Sequence, residues 1–115
     1  MCCGEQRAPS ISPDGKRVAV DTDDDGKNAD VWIYDLDGRI STRRLTFGGA
    51  NRFPTWSADG MRVTFRSDRE HDFAVFWQLA DRTGTAERLT KPARSEAHVP
   101  EAGSPDGKSL LFDAI

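Results

Sequence analysis

One run of acidic residues, Asp21-Thr22-Asp23-Asp24-Asp25-Gly26, has the residue types and spacing that could bind a metal ion. Alternate carboxylates can converge on one hard cation such as calcium, and the glycine permits the sharp turn that such a loop needs. This pattern predicts calcium binding, with Asp21, Asp23 and Asp25 as ligands and Asp30 as a fourth. The same residues also fit an acidic, solvated hairpin loop between two strands.

The calcium pattern is incomplete at its later positions. In an EF-hand loop the twelfth residue is a glutamate that binds the ion through both oxygens. Counted from Asp21, the twelfth residue here is Trp32. This departure favours the solvated loop over the calcium site and leaves calcium as the only cofactor that the sequence suggests.

Three serines stand directly before turns, and none of them lies in the G-x-S-x-G motif of a hydrolase nucleophile. We expect their hydroxyl groups to shape the turns through hydrogen bonds. These serines are Ser12, Ser57 and Ser104. Without a nucleophile paired with a base, the sequence predicts a protein that is not an enzyme.

The histidines and cysteines do not form a second candidate site. His71 and His98 are far apart in sequence, and neither has a partner at metal-ligand spacing. Cys2 and Cys3 are adjacent, so they do not provide a disulfide framework. We expect both to lie in a disordered N-terminal tail, residues 1–8.

Length and composition describe a folded chain of one domain at most. The chain has 115 residues, of which 37% are hydrophobic and 30% charged, with a net charge of -3. This balance gives no electrostatic basis for binding nucleic acid. It contains no apolar run long enough to cross a bilayer, and its first residues lack the features of a secretory signal. The sequence as written therefore predicts a cytoplasmic protein, or a periplasmic one if the chain is part of a longer exported protein.

A turn motif that recurs along the chain organises the rest of the sequence. Pro54-Thr55-Trp56-Ser57-Ala58-Asp59-Gly60 is its fullest form, with Ser12-Pro13-Asp14-Gly15 before it and Ser104-Pro105-Asp106-Gly107 after it. The aspartates are separated by 45 and then 47 residues. A repeat of this period indicates stacked supersecondary units rather than a single irregular domain.

Short β-rich segments separated by turn signals surround each motif, and no segment has a helical period. We predict a polar loop over Asp21–Asp30 and an all-β fold of two four-stranded antiparallel sheets followed by a hairpin. The predicted strands are residues 10–12, 17–20, 31–36 and 42–46, then 53–57, 62–67, 73–79 and 86–90, then 99–104 and 109–112.

The third strand of each unit carries apolar side chains on both faces, as in Val31-Trp32-Ile33-Tyr34 and Phe73-Ala74-Val75-Phe76-Trp77. Such strands belong to a sheet that is covered on both sides. The blades of a β-propeller have this property and this length. An antiparallel sandwich is the structural alternative, but a sandwich gives no reason for the turn chemistry to repeat.

The motif of the second unit resembles the TolB-type, WD-like propeller repeat "P-x-W-S-P-D-G-K-x-I-A-F". Leu45-Thr46-Phe47, Pro54 to Gly60 and Met61 to Ser67 follow that pattern closely, and the resemblance extends over residues 9–113. It departs from the family at Ala58, where proline is usual, and at Gly103, where the tryptophan would stand. The resemblance implies blade 1 over 9–46, blade 2 over 53–90 and a half-blade over 98–115.

The resemblance also implies a function. The propellers of this bacterial family have six to eight blades and serve as platforms for protein interaction. They also occur as the non-catalytic part of certain serine peptidases, as sensor domains and behind kinase domains. We therefore expect a non-catalytic interaction or assembly module, or alternatively an accessory or sensor part of a larger peptidase or kinase.

Two and a half blades leave apolar surfaces without a neighbour in the chain. The outer face of the first blade is one, and the last strand, Leu110-Leu111-Phe112, is an apolar edge. We expect self-association through these surfaces, as a homodimer or a larger assembly. In one possible homodimer, the last strands of two chains pair antiparallel about a two-fold axis, so that the two half-blades form one four-stranded sheet.

Overall fold

A computed structural model describes residues 9–23, 28–36, 42–81, 85–92, 96–103 and 110–114. This part of the chain forms ten β-strands and contains no helix. The strands are β1 (Ser10–Ile11), β2 (Arg17–Asp23), β3 (Ala29–Asp35), β4 (Thr42–Arg44), β5 (Asn51–Trp56), β6 (Arg62–Ser67), β7 (Ala74–Leu79), β8 (Glu87–Arg88), β9 (His98–Gly103) and β10 (Leu110–Ala114).

The strands form three antiparallel sheets in chain order, so every neighbour within a sheet is also a neighbour in sequence. Blade 1 contains β1–β4, blade 2 contains β5–β8, and β9 and β10 form the half-blade. The predicted all-β architecture, a partial β-propeller of two four-stranded blades and a terminal hairpin, is confirmed. Within the described residues, no helix has the length and hydropathy needed to cross a membrane.

The turns of the first two motifs have the same hydrogen bonds. The Ser12 hydroxyl donates to the Asp14 carboxylate at 2.6 Å and accepts from the Arg17 amide at 3.0 Å. The Ser57 hydroxyl does the same with Asp59 and the Arg62 amide, at 2.6 and 3.0 Å. The expected role of these two serines is confirmed, and Ser104 lies outside the described residues.

The loop predicted over Asp21–Asp30 is wrong at both ends, because strand pairing continues into it. Asp21 pairs with Val31, and Asp23 pairs with Ala29. β2 therefore runs through Asp23, and β3 begins at Ala29. The acidic side chains did not end the strands, because partners elsewhere in the fold compensate at least two of them.

The hydrophobic core lies between the two blades. Ala19, Val31 and Ile33 of blade 1 are fully buried and share one cluster with Trp56 and Phe65 of blade 2. The Trp56 indole N–H donates to the Ser10 carbonyl at 2.9 Å, and the Arg17 guanidinium lies 4.7 Å from its ring centroid. Trp56 thus lies in the core between the two blades.

Each new unit joins the preceding blade in the same way. Ala50 forms a parallel bridge with Ala29 at the start of β3, and Ala97 forms one with Phe73 just before β7. The His98 amide also donates to the Phe73 carbonyl at 2.9 Å. The half-blade thus continues the stacking that joins blade 1 to blade 2.

Candidate functional site

Two of the proposed calcium ligands, Asp21 and Asp30, have described side chains, and each of these accepts hydrogen bonds from the protein. The Asp21 carboxylate accepts a hydrogen bond from the Phe53 amide at 2.8 Å and so joins blade 1 to β5. Asp23 is the last residue of β2, and Asp25 lies outside the described residues. Within the part of the chain that the structure describes, no three histidine, cysteine, aspartate or glutamate side chains form a group that could hold a metal. Calcium binding by the loop stays a prediction.

The fourth proposed ligand, Asp30, is committed to protein partners. It is only 2% exposed. One oxygen pairs with the Arg44 guanidinium at 2.5 Å, and the other accepts from the Thr46 hydroxyl at 2.9 Å. The Asn51 amide approaches that second oxygen at 3.4 Å. A buried carboxylate needs such compensation. We call this set of contacts a brace, because it joins the outer strand β4 and the residues after it to Asp30 of β3.

Blade 2 contains a second brace with the same parts. The Arg88 guanidinium pairs with Asp72 at 2.5 Å, and its Nε donates to the Thr90 carbonyl at 2.7 Å. The Thr90 hydroxyl accepts from the Val75 amide at 2.9 Å, as the Thr46 hydroxyl accepts from the Val31 amide at 3.0 Å. The hydrogen bond from Arg88 to Asp72 raises the pKa of the guanidinium. Sequence reasoning missed both braces, although the segment Arg-Leu-Thr that they share, at 44–46 and 88–90, was the signal that could have pointed to them.

The first two repeat turns carry an ionised carboxylate each. Hydrogen bonds from the serine hydroxyl and from a backbone amide lower the pKa of Asp14 and of Asp59. Both carboxylates are therefore firmly ionised acceptors. Neither serine has a histidine partner among its hydrogen bonds.

The two histidines differ in their exposure. His98 is buried at the start of β9, where its ring nitrogen lies 2.7 Å from Glu96. His71 is exposed in the β6–β7 connection.

The most distinctive surface is the face of blade 1 that points away from blade 2. Strand pairing puts Ile11, Val18 and Tyr34 in one row across the sheet and Val20 and Trp32 in the next. We call these five residues the open face. Ile11 is 62% exposed and Tyr34 39% exposed, while Val18, Val20 and Trp32 are half-buried. No other sheet in the described chain covers this apolar surface.

The open face is the structural counterpart of a buried face in blade 2. Two cross-strand pairs lie at equivalent positions in each blade. In blade 2, Val63 pairs with Gln78 and Phe65 pairs with Phe76. In blade 1, Val18 pairs with Tyr34 and Val20 pairs with Trp32. Val63, Phe65 and Phe76 are at most 1% exposed because they pack on blade 1. Within the described residues, a surface of the kind that packs between blades is therefore uncovered on blade 1.

The second uncovered feature is β10. Leu110–Ala114 pairs with β9, and no third strand continues that sheet within the described residues. A free strand edge presents unpaired N–H and C=O groups that can accept a further strand. The predicted edge at Leu110–Phe112 lies in this strand.

A family model described as "TolB beta propeller domain" matches residues 2–114 of the chain. The chain is 32% identical over 108 residues to the uncharacterized peptidase YuxL of Bacillus subtilis, a match that covers 90% of this chain and 16% of that protein. It is 29% identical over 63 residues to the Tol-Pal system protein TolB of Alcanivorax borkumensis, covering 55% of this chain and 14% of that protein.

Solved structures agree with this assignment. A TolB-type structure from Agrobacterium tumefaciens superposes with a TM-score of 0.79 at 27% identity, covering 97% of this chain and 40% of that one. TolB from Acinetobacter baumannii gives a TM-score of 0.72 at 26% identity, covering 91% of this chain and 25% of that one. The chain thus spans less than half the length of each of these relatives.

Proposed function

We propose, from the premise that this chain belongs to the TolB beta propeller domain family, that it is a non-catalytic module for protein interaction and assembly. The observation that carries this proposal is the open face. It is apolar, it is uncovered in the described chain, and its counterpart in blade 2 is buried against a neighbouring blade. The preferred partner is a second copy of the chain.

The chemistry of the open face favours another β-sheet as its partner. The buried counterpart packs on Ala19, Val31 and Ile33, a flat surface of small and β-branched side chains. Burying one large apolar side chain contributes about 1.5–3 kcal/mol. Trp32 and Tyr34 are already partly buried, so covering what remains exposed would offset a part of the entropic cost of association. Pairing of β10 with β10 of another chain offers a second contact, about a two-fold axis.

Light scattering tests the assembly directly. We expect the chain at micromolar concentration to have a mass of at least about 25 kDa, twice the 12.7 kDa of one chain. Deleting residues 109–115 should lower the mass if β10 contributes, and Trp32→Glu should lower it if the open face contributes. A stable monomer of wild-type chain at that concentration contradicts the proposal.

One comparison favours a second candidate function, that of an accessory part of a larger peptidase. YuxL carries the word peptidase in its name, and this chain matches a sixth of its length. A chimera in which this chain replaces the matched segment of YuxL should fold and keep the parent's activity on a fluorogenic peptide. In either role the chain alone should not react with a fluorophosphonate probe for serine nucleophiles, and labelling would contradict both.

We infer the cellular location from the relatives rather than from the N-terminal residues of the chain. The cytoplasmic location expected from the sequence finds no support among them, whereas a periplasmic location is consistent with the similarity to a Tol-Pal system protein. We therefore adopt the periplasmic alternative. Alkaline phosphatase fused to the protein in its natural host should be active if it is exported, and inactive if it stays in the cytoplasm.

A further inference from the structure

The junction between blade 1 and blade 2 joins two faces of different shape. Phe65 and Phe76 of blade 2 are at most 1% exposed and share the core cluster with Ala19 and Ile33 of blade 1. We call the side of a unit that faces the preceding unit its back, and the side that faces the following unit its front. The back of blade 2 thus places large aromatic side chains on small and β-branched side chains of the front of blade 1.

The half-blade stacks on blade 2 in the same direction. His98 is the first residue of β9, as Asn51 is the first residue of β5, and the two are 4% and 0% exposed. On the front of blade 2, Val75 is fully buried and Thr64 is 4% exposed. The strands that carry them, β7 and β6, both contact β9. Within the described chain, the backs of blade 2 and of the half-blade therefore each pack on the front of the preceding unit.

The open face is a back that no front covers within the described residues. It lies on the side of blade 1 that corresponds to Val63 and Phe65 of blade 2, and Trp32 and Tyr34 are its largest side chains. Packing two open faces on each other would bring these aromatic side chains of the two copies together. Dense packing is reached more readily where large side chains meet small ones, as they do between the two blades. A front is therefore a better complement to the open face than a second open face.

The front of the half-blade is a surface of the required kind. Asn51, the counterpart of His98, points to blade 1, where its side-chain amide donates to the Ala29 carbonyl at 3.3 Å. His98 therefore lies on the back of the half-blade, and Val99 lies on its front because successive side chains of a strand point to opposite sides. Val99 is β-branched and half-buried. No further sheet covers this front within the described residues.

We propose that copies of the chain associate head to tail, with the open face of one copy packed on the front of the half-blade of the next. This proposal rests on the function proposed above, assembly through the open face, and adds the surface of the second copy that receives it. The contact is heterologous, because it joins two different surfaces. Such a contact repeats from copy to copy and produces a ring or an open chain, whereas face-to-face packing of two open faces stops at a dimer.

Two variants that each alter one of the two surfaces test this arrangement on the full chain. Trp32→Glu alters the open face and keeps the half-blade, whereas Val99→Glu alters the front of the half-blade and keeps the open face. In sedimentation velocity at micromolar concentration, we expect each variant alone to form a smaller species than the wild type. An equimolar mixture should form a species about twice as heavy as either variant alone, because the intact open face of one variant meets the intact front of the other.

Fluorescently labelled Trp32→Glu gives a second measurement that does not require Val99→Glu to fold. It should bind the wild-type chain through its intact half-blade. We expect it to bind unlabelled Trp32→Glu at least about tenfold more weakly, because that contact would bury an unpaired glutamate carboxylate. Met61→Glu is the matched control, since Met61 is an exposed apolar residue outside both surfaces, and it should bind labelled Trp32→Glu as the wild type does.

Two results would overturn the head-to-tail contact. One is a mixture of Trp32→Glu and Val99→Glu that is no heavier than its components, and the other is equal binding of labelled Trp32→Glu to the wild type and to itself. A monomeric wild-type chain refutes assembly as such, whereas a wild-type oligomer without complementation refutes only the head-to-tail contact. The two proposals can therefore fail separately.

Discussion

Replacing Trp56 tests whether the contact between blades holds the fold together. The side chain is 7% exposed and lies in the core cluster with Ala19 and Ile33. Truncating a buried tryptophan to alanine costs about 3–5 kcal/mol. A domain of this size has a total stability of about 5–15 kcal/mol. Trp56→Ala should therefore remove a large part of the stability of the chain.

Part of that cost can be assigned to single interactions. Trp56→Phe keeps a ring but loses the hydrogen bond from the indole N–H to the Ser10 carbonyl, which contributes about 1 kcal/mol. Some packing and part of the stacking with Arg17 are lost as well. We expect Trp56→Phe to cost about 1–2 kcal/mol, well below the cost of the alanine variant.

Trp77 provides a matched control, because it has a similar set of contacts on a more exposed surface. Its indole N–H donates to Glu87 at 2.5 Å, and the Arg62 guanidinium lies 4.6 Å from its ring centroid. Trp77→Ala should cost about 1–2 kcal/mol because less of its surface is removed from water. Urea unfolding followed by circular dichroism measures each free energy, and an unchanged slope shows that the comparison is sound. Equal losses for Trp56→Ala and Trp77→Ala would refute the interpretation of Trp56 as the core of the contact.

Three further predictions concern charged groups. Asp30→Ala should cost about 1.5–3 kcal/mol in urea unfolding, because it removes charge-assisted hydrogen bonds from Arg44 and from Thr46 while the guanidinium stays in contact with water. A loss below about 0.5 kcal/mol would show that the brace is dispensable. Hydrogen bonds in the folded chain hold the pKa values of Asp14 and Asp59 below their ordinary 3.8. The two ionised carboxylates therefore stabilise the folded chain above pH 3.8, and this contribution is lost as the pH falls through their lowered pKa values. Asp59→Asn should flatten the fall of the melting temperature below about pH 4, and an unchanged profile would contradict this. Calorimetry with millimolar calcium should give heat if the acidic loop binds the ion, and no heat would exclude the site.

The local features of the fold were predictable because few residues encode them. A serine, an aspartate and a glycine within four positions determine each repeat turn, and the structure shows the same hydrogen bonds around Ser12 and Ser57. Strand order followed from these turns, since each hairpin joins neighbours in sequence.

The features that were not predictable depend on contacts between distant segments. The loop boundaries were wrong because Asp30 is compensated by Arg44, which lies on another strand and 14 residues away. A groove lined by Phe47, Arg69 and Asp81 was not predictable, because these residues come from three different connections that only the packing of the blades brings together. Sequence patterns reveal local periodicity, and neither of these two arrangements produces a periodic pattern in the sequence.

The solution mass of the wild-type chain beside that of Trp32→Glu tests the central claim most directly. Trp32 lies in the open face, whereas Met61 is an exposed apolar residue outside it, so Met61→Glu is the matched control. Sedimentation velocity at micromolar concentration should show an oligomer for the wild type and for Met61→Glu, and a smaller species for Trp32→Glu with unchanged circular dichroism. A wild-type monomer, or equal masses for all three chains, would contradict the assignment of the open face as the surface of assembly.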